Sequence, residues 1–587
     1  MLDNIIMKLF FYTIILLFIT GCSESSEDSN KLLSNNQSTV IREYIIEKNS
    51  KKLPVNIKEK FGSNLRGLKL LGVELKNEDL SGVDLSFCEI SRVDFSDSNF
   101  ENAILIKSII QECDFSNAIL KNILAFGGDF QASIFENAKL ENNNFIYSNF
   151  EETDFIKAKL DNVNFGKTNL TESLFDESII NKSNFQKSNL EKSSFKGAII
   201  SDCVFYGSDL RQIIANSTNI IDCYCESVDL TKADFTGAVI KNSDFTHGII
   251  DQVQLKDISL TNSLFSFSSF QSANFDNVII TSCNFENANF NSTKLNQVNI
   301  QQTIMKNTRF NDAIIKNLSV KNSNLISLKL NKTNIANALI NKSDLTGAVI
   351  NNSDIRQMNL INSDLTNSEL VHSNFLNSKF TQVNFTKALL QNTTMVGISF
   401  TSTKLQQMAI INSNLSEVVF DNSPVNNSQI NNVSYTNNKI INSAFDRNIV
   451  MDSSDLDKLK QQYIMWSIQD LDKVQDLSNM NFQGLNLSNL VFNKTNFSGS
   501  ILKKVDLSNS VFRSCILDNV DLTMSNLNNT NFNKSSLVGS DLQFAKINNV
   551  NFNDTDLTSV NFINSIINKI SLVNAKINGT QGLNIAN

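Results

Sequence analysis

The sequence predicts an all-β solenoid, and three observations predict it. Every residue from 65 to 450 whose number is a multiple of five is large and apolar or Tyr, except Ala125, Ala215 and Cys225. Leu65, Leu70, Leu75 and Leu80 open the series; Tyr435, Ile440, Phe445 and Val450 close it. The residue two places before each of these large teeth is usually small, as in Val83, Cys88, Ala103, Ser108 and Ala118. Two inward residues in every five fit neither the 3.6 period of a helix nor the 2.0 period of a strand. They fit a chain that turns a corner every five residues and points both teeth at one axis. An unbroken register of this length marks a repeat architecture.

The residue between the teeth is often Asp or Asn, as in Asp84, Asp94, Asn99, Asp114 and Asn184. Good copies of the unit are Ala233-Asp234-Phe235-Thr236-Gly237, Ala273-Asn274-Phe275-Asp276-Asn277 and Ser343-Asp344-Leu345-Thr346-Gly347. This resembles the pentapeptide-repeat proteins, over most of the chain. The resemblance implies a right-handed quadrilateral β-helix with four quintets to the coil. The residues themselves ask only for an even number of faces. Phe95, Phe115, Phe135 and Phe155 form one series, and Phe145, Phe165, Phe185 and Phe205 another, ten residues out of step. Leu120, Leu140, Leu160 and Ile180 lie between them. That alternation has a period of ten residues and does not separate two faces from four.

Residues 1–21 read as a signal peptide. Leu9 to Ile19 is a largely apolar run behind Lys8, too short to span a bilayer and suited to a signal-peptide core. Asp3 is awkward in a signal n-region, so Met7 competes with Met1 as the start. The run ends Ile19-Thr20-Gly21-Cys22, which looks like a bacterial lipobox. That likeness implies cleavage before Cys22 and lipid on its sulfur. Ser23 follows rather than Asp, which by resemblance to enteric lipoproteins leans towards the outer membrane.

Residues 22–62 read as a tether and an N-terminal cap. Ser23 to Gln37 is rich in Ser, Asn and acids, the composition of a flexible linker. Val40 to Glu47 suits a short helix or a strand, and Pro54 interrupts the chain beyond it. A first coil would otherwise expose its core and edge, so a cap is expected here.

The first array occupies residues 63–450. At Ala125 and Ala215 the large and small teeth have traded places, with Ile123 and Ile213 in the small slot. Cys225 has no such compensation, because Cys223 is also small. The soft coil, with a small cavity, is therefore expected over 210–226. Residues 451–478 lose the beat and read as an α-helical insertion, with Leu456, Leu459, Tyr463, Trp466, Leu471 and Val474 at mostly helical spacing. Tyr463 and Trp466 either cover the open end of the first array or contact a partner. The beat resumes in a new register from Phe482 to Ile577, giving a second array over 479–587.

Chemistry is sparse. His247 and His372 are the two histidines, both outward and without nearby Cys, so no metal site is expected. No phosphate loop is present, and the Asp residues mostly fill the repeating slot. Catalytic residues and cofactors are accordingly not expected. Cys88, Cys113, Cys203, Cys223, Cys283 and Cys515 take the small inward slot and Cys225 the large one, so all seven are expected to be unpaired. The formal net charge is −8, acidic over 61–290 and basic over 291–450. An acidic balance disfavours a nucleic-acid partner.

The reading is a membrane-anchored, non-enzymatic, rod-like lipoprotein of the bacterial cell envelope. It would serve as a scaffold or interaction surface for an unidentified protein or a second copy. The alternative is a DNA mimic that binds topoisomerases, as some pentapeptide-repeat proteins do. The signal peptide and the basic stretch speak against it.

Overall fold

A stride of twenty residues joins almost all hydrogen-bonded neighbours in the computed structural model, which describes residues 31–436, 438–441, 443, 450–451 and 476–583. Leu120 pairs in parallel with Leu140, Leu140 with Leu160 and Leu160 with Ile180. Four quintets therefore make one coil, and the question left open by the period of ten is answered. The chain is a nearly all-β quadrilateral β-helix. The signal segment with Cys22, and the stretch that holds Tyr463 and Trp466, lie outside the described residues.

Every backbone N–H in a typical quintet has a partner, which is why so short a unit holds its shape. The large tooth donates to the coil above: Leu105 N–H to Leu124 O at 2.7 Å. The second corner residue does the same, Lys107 N–H to Phe126 O at 3.0 Å. The slot residue donates to the coil below, Ile104 N–H to Val83 O at 2.9 Å. The small tooth closes the turn, Ala103 N–H to Phe100 O at 3.0 Å. The fifth N–H, on the first corner residue, is taken by the Asp or Asn in the slot. Asp114 Oδ1 accepts from Ser116 N–H at 2.8 Å, and Asp154 Oδ1 from Ile156 N–H at 2.7 Å. The slot favours Asp and Asn because their short side chains reach the backbone two residues on.

The small tooth is more than a matter of volume. Its hydroxyl often donates to the carbonyl of a large tooth one coil below, as in Ser108 to Leu85 O at 2.6 Å and Thr153 to Phe130 O at 3.1 Å, or to the carbonyl two residues earlier, as in Ser243 to Lys241 O at 2.9 Å. Ser368, Thr403 and Ser525 are buried without such a partner, and Cys88 follows the first pattern, with its Sγ 3.2 Å from Leu65 O.

The chain divides into two compact units, Met1–Asp229 and Leu230–Asn587. In the first, helix α1 (Asn35–Ser50) is capped by Ser34 and Gln37 and buries Ser38, Ile41 and Ile45. It begins inside the stretch expected to be tether. Its side chains meet the first coil's open edge: Ser38 Oγ accepts from Lys69 N–H at 3.1 Å, and Asn49 Nδ2 donates to Glu74 O at 2.8 Å. Helix α2 (Ile57–Phe61) is held by Glu78, whose carboxylate accepts from Val55, Asn56 and Ile57 N–H at 3.0–3.2 Å. Above them the core is a pair of Phe stacks. Phe115, Phe135, Phe155 and Phe175 lie ring on ring at 4.7–5.1 Å, and Phe165, Phe185 and Phe205 at 4.8–5.2 Å. Over 210–226 the core is looser, with Leu210, Ile213 and Ile220 at 5, 4 and 7 % exposure.

The second unit carries the same coil with a more aliphatic core. Its internal cavity, about 50 Å³, runs among Leu295, Phe310, Leu345, Ile350 and Phe385. Where Phe gives way to Leu, Ile and Met over several successive coils, the axis is left underfilled.

Two boundaries also move. Gln429 pairs with Val450 and Ile430 with Met451, a stride of 21 residues, so Met451 rather than Val450 stands opposite the tooth Ile430. One residue has been added to that coil. The second array starts earlier than expected, because Asp476 already bridges Asn496 and Leu477 is buried. Leu477 sits five residues before Phe482 and belongs to the same beat. At the far end Ile577 is 37 % exposed, since no described residue lies above it to cover it.

Candidate interaction surface

The two residues after each large tooth form the corners of the coil and point outward. The second of them lies in the left-handed region at every regular corner, for example Tyr147 at φ 62°, Lys167 at φ 57° and Lys187 at φ 57°. Gly and Asn tolerate this conformation, and Asn is frequent there for that reason. Bulky residues at this position project from the turn.

Three of the four corners in the first unit carry its acid. Glu101, Glu141 and Asp161 lie on one, Glu112, Glu151 and Glu172 on the next, and Asp97, Glu136 and Asp176 on a third. Lysines and arginines on these corners pair with acids one coil away. Lys192 meets Glu172 at 2.8 Å, Arg92 meets Glu112 at 2.9 Å and Lys121 meets Glu141 at 3.5 Å. Asn ladders run alongside, with Asn122 donating to Asn102 at 2.9 Å and Asn162 to Asn142 at 2.8 Å. Such exposed pairs are worth about 0–1 kcal/mol each.

The fourth corner is different. From 104 to 207 neither its two residues nor the slot before them is acidic in any coil. It carries Lys107, Lys167 and Lys187, and none of the three forms an ion pair among the described residues. Phe126 and Tyr147 project from it, 42 and 51 % exposed, with ring centroids 5.5 Å apart and nearly perpendicular. Lys167 Nζ lies 4.8 Å over the Tyr147 ring and donates to its hydroxyl at 2.6 Å. Ile104, Ile106 and Ile146, half-buried, fill the flank. The ridge is bounded by Arg66, paired with Asp84 at 3.0 Å, and by Glu226, which accepts from Tyr224.

Of the residues singled out from sequence, Cys22, Tyr463 and Trp466 are outside the described residues. His247 stacks on Phe267 at 5.2 Å and His372 lies near Asn392, both outward on corners. The seven described cysteines are buried. Burial pushes Cys88 and Cys113 up to about 12, and Cys283 and Cys515 to about 11. Cys203 is raised by burial first and by the Cys223 thiol beside it second. Such thiols do not ionise near neutral pH and are poor nucleophiles. Among the described residues no group of His, Cys, Asp and Glu is placed to hold a metal ion, and no helix is long and apolar enough to cross a membrane. The Lys107, Phe126, Tyr147, Lys167 and Lys187 ridge was missed by sequence reasoning. Reading the sequence at a stride of twenty would have found it.

A family model described as "Pentapeptide repeat region" matches residues 128–200. A second, "Pentapeptide repeats (8 copies)", matches 61–97, 90–122, 218–262, 258–297, 329–367, 343–382, 359–397, 378–417, 476–509 and 515–554, more than half of the chain. Among solved structures, the chain is similar to HetL, a pentapeptide-repeat protein involved in heterocyst differentiation regulation in Nostoc. The identity is 20 %, over 40 % of this chain and 94 % of HetL, with a TM-score of 0.18. QnrB1, a plasmid-mediated fluoroquinolone resistance protein, is 14 % identical over 29 % of this chain and 81 % of its own, with a TM-score of 0.17. A pentapeptide-repeat protein of the Arabidopsis thaliana thylakoid lumen is 25 % identical over 17 and 66 %, with a TM-score of 0.12. No curated protein matches the chain significantly.

Proposed function

The chain belongs to the pentapeptide-repeat family, and from that premise we propose a non-enzymatic, lipid-anchored binding protein of the bacterial cell envelope. The observation that carries the proposal is how the reactive groups are used. Slot carboxylates accept backbone N–H groups, and thiols face the axis with their ionisation suppressed. The repeat itself consumes the side chains that catalysis would need, which supports a binding role exercised through outward corners. Membrane anchoring is supported by the apolar run ending at Cys22. The partner is a protein or a second copy of the chain. The DNA-mimic reading is the weaker one, because several corner acids are paired with Lys or Arg and one corner is basic.

The test is fractionation of cells making the chain with Cys22→Ala. Release into the soluble fraction, or an uncleaved precursor, supports the anchor. Unchanged processing and detergent partitioning contradict it.

A further inference from the structure

The acid-free corner of the first unit has a chemistry of its own, and what it fits can be read from its shape. It is a convex ridge, built from turn residues that protrude at each coil. A polymer chain is usually held in a groove, with flat faces open for stacking. Here the two central rings do not form one flat platform: Phe126 meets Tyr147 edge to face, and Lys167 Nζ is held at the Tyr147 hydroxyl. Beside them lie Ile104, Ile106 and Ile146, half-buried, and Phe87, whose ring centroid has the Arg66 guanidinium 5.0 Å away.

A flat, soft, negatively charged surface suits this ridge better. Aromatic rings with polar tips favour the membrane–water interface, where Tyr hydroxyl and ring sit in different media. Lysines flanking them reach anionic headgroups while their stems stay among apolar atoms. Charge asymmetry around the coil supplies the orientation. Over 104–207 two of the other corners are acidic and the third is close to neutral, with Lys121, Lys139, Lys159 and Lys182 set against Glu141, Asp161 and Asp202, so the acid-free corner is the one an anionic bilayer attracts most. The unpaired state of Lys107, Lys167 and Lys187 fits too, since an intramolecular carboxylate would have to be displaced first. We propose that the ridge of Lys107, Phe126, Tyr147, Lys167 and Lys187 docks the first unit on an anionic lipid surface. Docking by this ridge does not require acylation of Cys22.

The experiment uses the full chain with Cys22→Ser, which carries no acyl group, so that this proposal and the lipid anchor fail separately. Co-sedimentation is measured with phosphatidylcholine vesicles, with and without phosphatidylglycerol. Binding is expected only with phosphatidylglycerol and should weaken as salt screens the lysines. Lys107→Glu, Lys167→Glu and Lys187→Glu together should reduce it on the order of a hundredfold or more, at about fivefold per lysine removed from the surface. The same charge change at Lys139, Lys159 and Lys196, on other sides of the coil, should leave most of the binding. Tyr147→Trp in a Trp466→Phe background should shift its emission to the blue on vesicles, reporting entry of the ring. Equal loss from both triple variants would overturn the proposal, because net charge alone would then explain binding. No binding to either vesicle, or binding to a soluble anionic polysaccharide in place of vesicles, would overturn it as well.

Discussion

Two tracts of this molecule keep the same five-residue beat and pack differently. Over 115–195 in the first unit, Phe residues stack at about one ring per coil and the core is sealed. Over 295–385 in the second unit, Leu, Ile and Met hold most of the same positions and leave a cavity of about 50 Å³. A void of that size corresponds to about 1 kcal/mol. The coil keeps its stride of twenty in both tracts, but the turns differ. Over 115–195 three faces of four close with a bond from the small tooth, as in Ala118 N–H to Phe115 O and Ser133 N–H to Phe130 O. Over 295–385 one face does, as in Thr308 N–H to Met305 O, and the others run as three-residue strands. Core filling sets local stability, and the frame sets the shape.

The harshest way to break the comparison is a charge in the sealed tract. Phe165→Asp buries an unpaired carboxylate between Phe145 and Phe185. A loss of about 4 kcal/mol or more is expected, with neighbouring coils opening together. Amide exchange across 140–190 would report it, and protection retained there would contradict the packing described.

Adding volume sharpens the contrast. Leu170→Phe enters a filled core and should cost about 1–3 kcal/mol. Leu345→Phe enters the cavity lining and should be within about 1 kcal/mol of neutral. Chemical denaturation of both variants checks the difference. Equal costs would mean that the two tracts are packed alike.

The thiols add a dependence on pH. Folded Cys88 and Cys113 titrate near about 12, above an ordinary thiol at 9.0, so the folded state holds these protons more tightly. Their contribution is complete below about pH 9 and is lost as pH rises towards 12. Denaturation midpoints should therefore fall over that window, and fall less in Cys88→Ser. Alkylation at neutral pH should need unfolding first.

The smallest effect is at the slot. Asp114→Ala leaves the Ser116 N–H without its 2.8 Å acceptor and should cost about 1 kcal/mol. Ile104→Asn, at a position where no such acceptor exists, should be neutral or stabilising by a few tenths of a kcal/mol. The comparison of melting temperatures settles whether the slot acts through the backbone.

These particulars show how much of the molecule was legible. The teeth were legible because burial writes a strict period into the sequence, and Phe115 to Phe195 stack as their spacing implied. The slot was visible as a preference, but its bond to the backbone was not, since that bond depends on the turn. The left-handed corner residue left only an excess of Asn and Gly, diluted by Lys and Glu that adopt the same φ. The cavity among residues 295–385 left no mark in the sequence, because a slow drift from Phe to Leu and Ile keeps the beat intact. The basic ridge was hidden by averaging. Charge summed along the chain mixes four corners, and the acid of three conceals the lysines of the fourth.

The most direct test of the account is geometric: side chains twenty residues apart are neighbours, and those ten apart are not. Spin labels can be placed at Asn102→Cys and Asn122→Cys, whose native side chains are hydrogen-bonded at 2.9 Å. The interior cysteines are buried and should stay unlabelled in the folded chain. Strong dipolar broadening is expected for this pair. A second pair, Asn102→Cys with Glu112→Cys, places the labels on different corners and should show little. Broadening in the second pair and none in the first would contradict a coil of four quintets.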